Sequence, residues 1–364
     1  MIYLDYQATT PLDPAVRTAM APWWDEKFGN PHSPHRMGRE AAAAVDVARA
    51  HAACWCLGNG RLSFTSGATE ALNWAIKGTA GPIVTLATEH AAILDSVVAV
   101  GRAGRSVTIL PVGRDGLVDL DVARAAITPG VGLVTAMLVN NEIGVIQPIA
   151  ELVDMAHAAG ALFLCDAVQG YGRVTIPPAC DMIAMSAHKI HGPKGIGGLW
   201  MREGLSIEPL IHGGGQDAAG RSGTLSPALC VGFGSAAQAM LDNEYHDDRL
   251  IEKLWPRLAD PLLADGWTIN GSVEQRWRGN LNVRKPGLDA ARLISELREL
   301  AVSAGSACAS GSGRPSHVLK AIGLSEAEAR SSIRLGFGRF TTEAEIDMAV
   351  SMILDATIRQ RKWA

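Results

Sequence analysis

Apolar residues along the chain fall into two alternating kinds of run. Short, near-continuous ones ("RLSF", "PIVTLAT", "GLVTAMLV", "ALFLCDA", "DMIAMSA", "GGLWM") read as strands buried on both faces. Stretches with helical spacing, such as "AILDSVVAVGRAG" and "IAELVDMAHAAG", stand between several of them. Residues 39–57, "REAAAAVDVARAHAACWCL", read as an Ala-rich helix with no breaker. This alternation predicts an α/β fold, a large domain with a mostly parallel mixed sheet between helices. The pattern changes near residue 245. There a charged helical stretch, "DRLIEKLWPRLADPLLADG", precedes a smaller α+β set that ends in helical "EAEIDMAVSMILDATIRQRKW". The expected division is a large domain over 13–245 and a small one over 246–364, joined by residues 1–12, which have no place in the alternation. There is no internal repeat.

Composition narrows the functional classes. The chain has 364 residues, 48% of them hydrophobic, enough for a sizeable core. Its net charge of −4 is spread along the chain without a basic tract, which argues against a nucleic-acid partner. No apolar run approaches the roughly 18 residues of a membrane span, and "MIYLDYQATTPL" lacks the layout of a secretory signal. The six cysteines (Cys54, Cys56, Cys165, Cys180, Cys230, Cys308) are scattered, and the closest pair has the wrong spacing for a zinc knuckle. Reduced thiols and a cytoplasmic setting are the expectation.

In an open parallel sheet, ligands sit at the carboxyl ends of the strands. After "RLSF" comes "TSGATE", either an ordinary helix cap or an anion cup made by free N–H groups and the hydroxyls of Thr65, Ser66 and Thr69. His90 follows "PIVTLA" as a cap or a catalyst, and "NNEIG" follows "GLVTAMLV" as a turn or a ligand contact. Asp166 ends "ALFLC". It is costly there unless it caps a helix or meets a cation such as a pyridinium N–H. Lys189 follows "DMIAMSAH". It reads as a lysine that snorkels outward or as a desolvated, nucleophilic amine. Lys194 lies in the turn "GPKGIGG", so Lys189 is the favoured amine. Phosphate cup, carboxylate, ring-face group and amine together are the requirements of one cofactor, pyridoxal 5'-phosphate.

The motifs "YLDYQATTPLDP", "GNPHSPHRMGREA", "TSGATEALN", "TEHAAILD", "LVNNEIGVIQPI", "DAVQGYGR", "SAHKIHGPKGIGGLW", "GGGQDAAGRSGTLS", "SAGSACASG" and "SIRLGFGRFTTEAEID" span almost the whole chain. In them the sequence resembles the cysteine desulfurases of the NifS and IscS type, among the class V aminotransferase-like enzymes. The resemblance implies the aspartate aminotransferase-like fold, type I of the pyridoxal-phosphate enzymes. It implies that Lys189 carries the cofactor as a Schiff base and removes the substrate α-proton. It also implies that His90 stacks on the ring and relays protons, and that Asp166 pairs with the ring nitrogen. Gln169 and Asn141 would reach the phenolic oxygen or the substrate, and Ala68, Thr69, Ser186 and His188 would hold the phosphate. Thr224 is expected to reach the phosphate of a neighbouring subunit, hence a homodimer, and Arg334 to clamp the substrate carboxylate.

Cys308 stands among Gly, Ser and Ala in "SAGSACASGSGRPS", a composition that suits a mobile loop better than a core. By the same resemblance it takes sulfur from L-cysteine as a persulfide, leaving L-alanine. It then passes the sulfur to an acceptor such as an iron–sulfur scaffold protein, and is a possible transient ligand of the cluster. Selenocysteine lyase is the nearest alternative activity. Gln7 stands where a smaller residue is expected, and the chain ends soon after its last helix, which leaves the acceptor's identity open.

Overall fold

The computed structural model describes residues 1–217, 220–304 and 316–362. The chain opens with β1 (Ile2–Tyr3), α1 (Pro14–Met20), α2 (Pro22–Asp25) and α3 (Arg36–Ala52). The alternating part follows: β2 (Gly60–Thr65), α4 (Ala68–Gly78), β3 (Ile83–Leu86), α5 (Ala91–Arg102), β4 (Val107–Leu110), α6 (Leu120–Ala126) and β5 (Leu133–Met137). It continues through α7 (Ile149–Ala158), β6 (Leu162–Asp166), β7 (Met182–Ser186) and β8 (Gly197–Arg202) to the long helix α8 (Pro227–Ala264). The last part holds β9 (Thr268–Ile269), β10 (Asn280–Arg284), α9 (Ala290–Glu296), β11 (Leu300–Ala301), α10 (His317–Ala321), α11 (Glu326–Arg330), β12 (Ser332–Gly336) and α12 (Glu343–Lys362).

Among the described residues β2 to β8 form one seven-stranded sheet in the order β2-β8-β7-β6-β5-β3-β4. Strands β4, β3, β5, β6 and β7 pair in parallel, and β8 runs against both β7 and β2. Alternate residues of each strand enter opposite cores, as the two-residue period of a strand requires. Phe163, Cys165, Ile183 and Met185 join α3, α7 and α8 on one face. Leu164, Met182, Ala184 and Leu199 join α4 and α5 on the other. Covering both faces explains why these strands read as unbroken apolar runs. The strand order reverses beside β3, so the carboxyl ends of β5, β6 and β7 open onto a crevice.

Three details differ from the reading of the sequence. Helix α3 stops at Ala52, not 57, because the chain must turn to enter β2, and Gly58 makes that turn at φ 107°. Strand β4 has no counterpart among the apolar runs of the sequence, because it is half exposed and breaks the rule of buried runs. The reversed direction of β8 is likewise invisible in an apolar run.

The C-terminal part holds a β9-β10-β12 antiparallel sheet and the parallel pair β1-β11. The first six residues pack there, with Ile2 opposite Leu300 and Tyr6 N–H donating to the Gly336 carbonyl. The chain then crosses to the large sheet, where Thr10 N–H donates to the His188 carbonyl. Residue 245, the expected domain boundary, lies inside α8.

Candidate active site

A cavity of about 580 Å³ opens at the carboxyl ends of β5, β6 and β7. Its volume suits a small-molecule site. One wall is the start of α4. Gly67, at φ 158° and ψ 175°, turns the end of β2 into the helix without a side-chain cap. The N–H groups of a first helical turn have no intrahelical acceptor and carry partial positive charge, so Ala68 and Thr69 present an anion-binding edge. Glu70 does not enter the cup. Its carboxylate accepts the Ser66 N–H and pairs with Arg221. Strand β8 comes very close beneath: a Cβ on Gly197 would lie 2.8 Å from the Gly67 backbone. Ser186 and His188, from the end of β7 and the turn after it, complete this wall. The His188 ring is held by Thr9 at 3.1 Å.

The floor is Asp166, the buried last residue of β6. Burial raises its pKa from 3.8 to about 6, against the opposing pull of the Val168 N–H and the Lys189 charge. Gln169, three residues on, is also buried. Its amide donates to the Gln7 carbonyl at 3.0 Å, and its side-chain oxygen has no hydrogen-bond partner among the described residues. A buried, unpartnered oxygen in the wall of a cavity is an acceptor waiting for a ligand donor. His90 caps α5, its Nδ1 accepting the Ala92 N–H at 3.1 Å. The reading as a helix cap therefore holds, and the same ring also lines the cavity. With Nδ1 as acceptor, the neutral ring carries its proton on Nε2. Burial, then Lys189 and His317, lower its pKa.

Lys189 stands in the single 3-10 turn after β7. Its Nζ donates to the carbonyls of Gln7 at 2.5 Å and Ala8 at 2.8 Å. The amine is thus turned into the cavity, not out to solvent. Lys194 also reaches the wall, from the turn. Arg334, on β12, is 1% exposed. It bonds the Asn141 carbonyl at 3.0 Å and Asp5 at 2.7 Å, and its Nε has no partner among the described residues. Of the two asparagines, Asn140 builds the turn, with Oδ1 accepting from Glu142 and Ile143, while Asn141 faces the cavity.

One cavity thus gathers Lys189, His90, Asp166, Gln169, Asn141, Ala68, Thr69, Ser186, His188 and Arg334. Thr224 is exposed and outside the cavity wall of its own chain. Cys308 lies outside the described residues. Gln7 stood out in the sequence only for its size, not for its backbone carbonyl, which accepts from both Lys189 and Gln169. Backbone acceptors leave no residue-type signature. Nor did the sequence point to Glu89 and Glu142, both fully buried and both with raised pKa values through burial.

These residues fit pyridoxal 5'-phosphate: an anion edge for its phosphate, a buried carboxyl for its ring nitrogen, an open acceptor and an amine, all in one cavity of suitable volume. The comparisons agree. The model of the family "Aminotransferase class-V" matches residues 2–348. The protein named cysteine desulfurase IscS of Rickettsia bellii is 45% identical over 368 residues, covering 97% of this chain and 90% of that one. Its namesake in Rickettsia akari is 43% identical over 99% of this chain and 92% of its own. A solved NifS-like protein from Rickettsia africae superposes with a TM-score of 0.90 at 32% identity, over 98% of this chain and 99% of that one. The structure titled "SspA in complex with cysteine" superposes at 0.80 with 32% identity, over 94% of this chain and 100% of that one. Motifs, fold and cavity converge, and the chain belongs to the class V aminotransferase family, with the cysteine desulfurases of the NifS and IscS type.

Proposed function

We infer that this protein is a pyridoxal-phosphate-dependent cysteine desulfurase, converting L-cysteine to L-alanine and handing on the sulfur. The observation that carries the reading is the joint presence of Lys189, Asp166, the α4 start and Arg334 in the wall of a single cavity. Bound there, pyridoxal 5'-phosphate supplies an aldehyde that captures amines and a ring that withdraws electrons from the substrate α-carbon.

The chain's own residues do the rest. Ala68, Thr69, Ser186 and His188 would hold the phosphate. Asp166, poised by burial at a pKa of about 6, would ionise against a cationic ring N–H. Gln169 and Asn141 would orient the ring's oxygen side and the substrate. His90, kept neutral by burial and by neighbouring positive charge, would cover the ring and move protons at Nε2. Arg334 has a buried guanidinium already aimed by Asp5 and the Asn141 carbonyl, and it receives the substrate carboxylate. Lys189 Nζ takes the α-proton. The Cys308 thiolate attacks the substrate sulfur: the S–S bond forms as the carbon–sulfur bond breaks. The carbon fragment keeps the bonding pair and, once protonated, leaves as L-alanine.

We further propose a homodimer in which the exposed Thr224 reaches the phosphate of the partner's site. The proposed acceptor is an iron–sulfur scaffold protein, with Cys308 as a transient cluster ligand through its persulfide. No helix among the described residues is long and apolar enough to cross a membrane. The described cysteines are free thiols, which suits a reducing, cytoplasmic setting. The large domain is taken as 13–245, with 1–12 and 246–364 forming the small one.

The test supplies L-cysteine to the purified holoenzyme and follows alanine together with the mass of the Cys308 peptide. Alanine and a sulfur adduct on that peptide should appear together. In Cys308→Ser alanine formation should collapse while the cofactor's visible band remains; undiminished turnover would reject Cys308 as the acceptor.

A further inference from the structure

Behind the cavity a second, much smaller cleft is lined by Tyr6, Arg173, His191, Asp247, Trp277 and Arg339. Arg173 belongs to this cleft and not to the cofactor cavity. Its guanidinium spends its donors on backbone. Nη1 donates to the Gln169 carbonyl at 3.2 Å, and Nη2 donates to the carbonyl of Lys189. These acceptors belong to two different strand ends, after β6 and after β7. Their side chains converge on a third point, the Gln7 carbonyl. The flat guanidinium lies 4.5 Å from the ring centre of Trp277, which is buried. The backbone at Trp277 is in turn fixed by its own peptide N–H, which donates to the Gly144 carbonyl at 2.9 Å. Desolvation lowers the arginine's pKa to about 10, although the residue is only partly buried.

A planar fork that bonds two carbonyls at once, backed by a ring, is a device for fixing geometry. We propose that Arg173 is a positioning residue that clamps the backbones of Lys189 and Gln169 from behind the cavity, with Trp277 bracing the clamp. The proposal rests on the cofactor reading above and deepens it: the amine and the amide stay in register because one guanidinium ties their peptide groups together. Lysine could supply a charge and a donor but neither the fork nor the stack. Reactive geometry is sensitive to misplacement on the ångström scale.

The test compares wild type, Arg173→Met, Arg173→Lys and Trp277→Leu. In Arg173→Met holoenzyme, kcat should fall by roughly tenfold with KM within about twofold. The pH midpoint of the cofactor's visible band should also move. In the cofactor-free protein, deuterium uptake by the peptide spanning 186–192 should quicken. Arg173→Lys should recover part of each change, and Trp277→Leu should shift all three in the same direction by less. An Arg173→Met protein with wild-type kcat, band titration and exchange would overturn the clamp. If that variant does not fold, unchanged values in both Arg173→Lys and Trp277→Leu overturn it. A wild-type protein with no visible band would overturn the cofactor reading instead, and the exchange measurement would still decide the clamp.

Discussion

Burial moves the titrating groups around the cavity in opposite senses. It raises the pKa of Asp166 to about 6, and it lowers those of His188 and His191 to about 4. Both histidines stand near cations, Lys189 and Lys194 for the first, Arg339 and Arg173 for the second. His191 offers the cleaner handle, being 3% exposed and outside the cavity wall. Its folded pKa lies below the ordinary 6.5, so between those values the unfolded chain binds the extra proton. Its contribution is therefore complete above pH 6.5 and is lost as pH falls towards 4, by up to about 3 kcal/mol. His191 also has φ 66°, a left-handed conformation that asparagine tolerates. His191→Asn should accordingly flatten the fall in urea stability of the cofactor-free protein over that window. An unchanged acid limb would assign the fall to other groups.

At the scale of elements, the site is made chiefly by four strand ends, those of β3, β5, β6 and β7, and one helix start. The turn into α4 depends on Gly67, whose φ of 158° and ψ of 175° fall in a region open essentially to glycine. Gly67→Ala should fold, with a loss of about 1–3 kcal/mol, and should weaken cofactor retention by roughly tenfold, read as the visible band lost on dilution. Retention equal to wild type would mean that the turn's geometry does not shape the anion edge. These strand ends are also where the sequence was most legible. Asp166, Lys189, His90 and the "TSGATE" turn each followed an apolar run, and each lines the cavity. What escaped was direction and partnership. An apolar run does not encode that β8 runs antiparallel. Nor does local sequence announce a carbonyl such as that of Gln7, 182 residues from the lysine whose amine it accepts. Arg173 escaped for the same reason, because its acceptors are peptide groups and not side chains.

The whole molecule is tied together by the N-terminal segment, which crosses from the β10–β12 sheet to the cavity. Two buried arginines secure that crossing. Arg334 holds Asp5, and Arg339 holds Asp13 at 3.1 Å and Asp247, on α8, at 2.7 Å. Arg339 is 7% exposed at its side chain, so removing it leaves two carboxylates short of their cation. Arg339→Met should cost about 3 kcal/mol or more, measured as a lower urea midpoint at constant slope. A loss under about 1 kcal/mol would demote the network to an ordinary surface pair. The central claim concerns a different residue: Lys189 is the amine that bears the cofactor. Borohydride reduction of the holoenzyme, digestion and mass spectrometry test it directly. The pyridoxyl-phosphate adduct should sit on the Lys189 peptide and be absent from Lys189→Ala; an adduct on Lys194 alone, or none, would contradict the account.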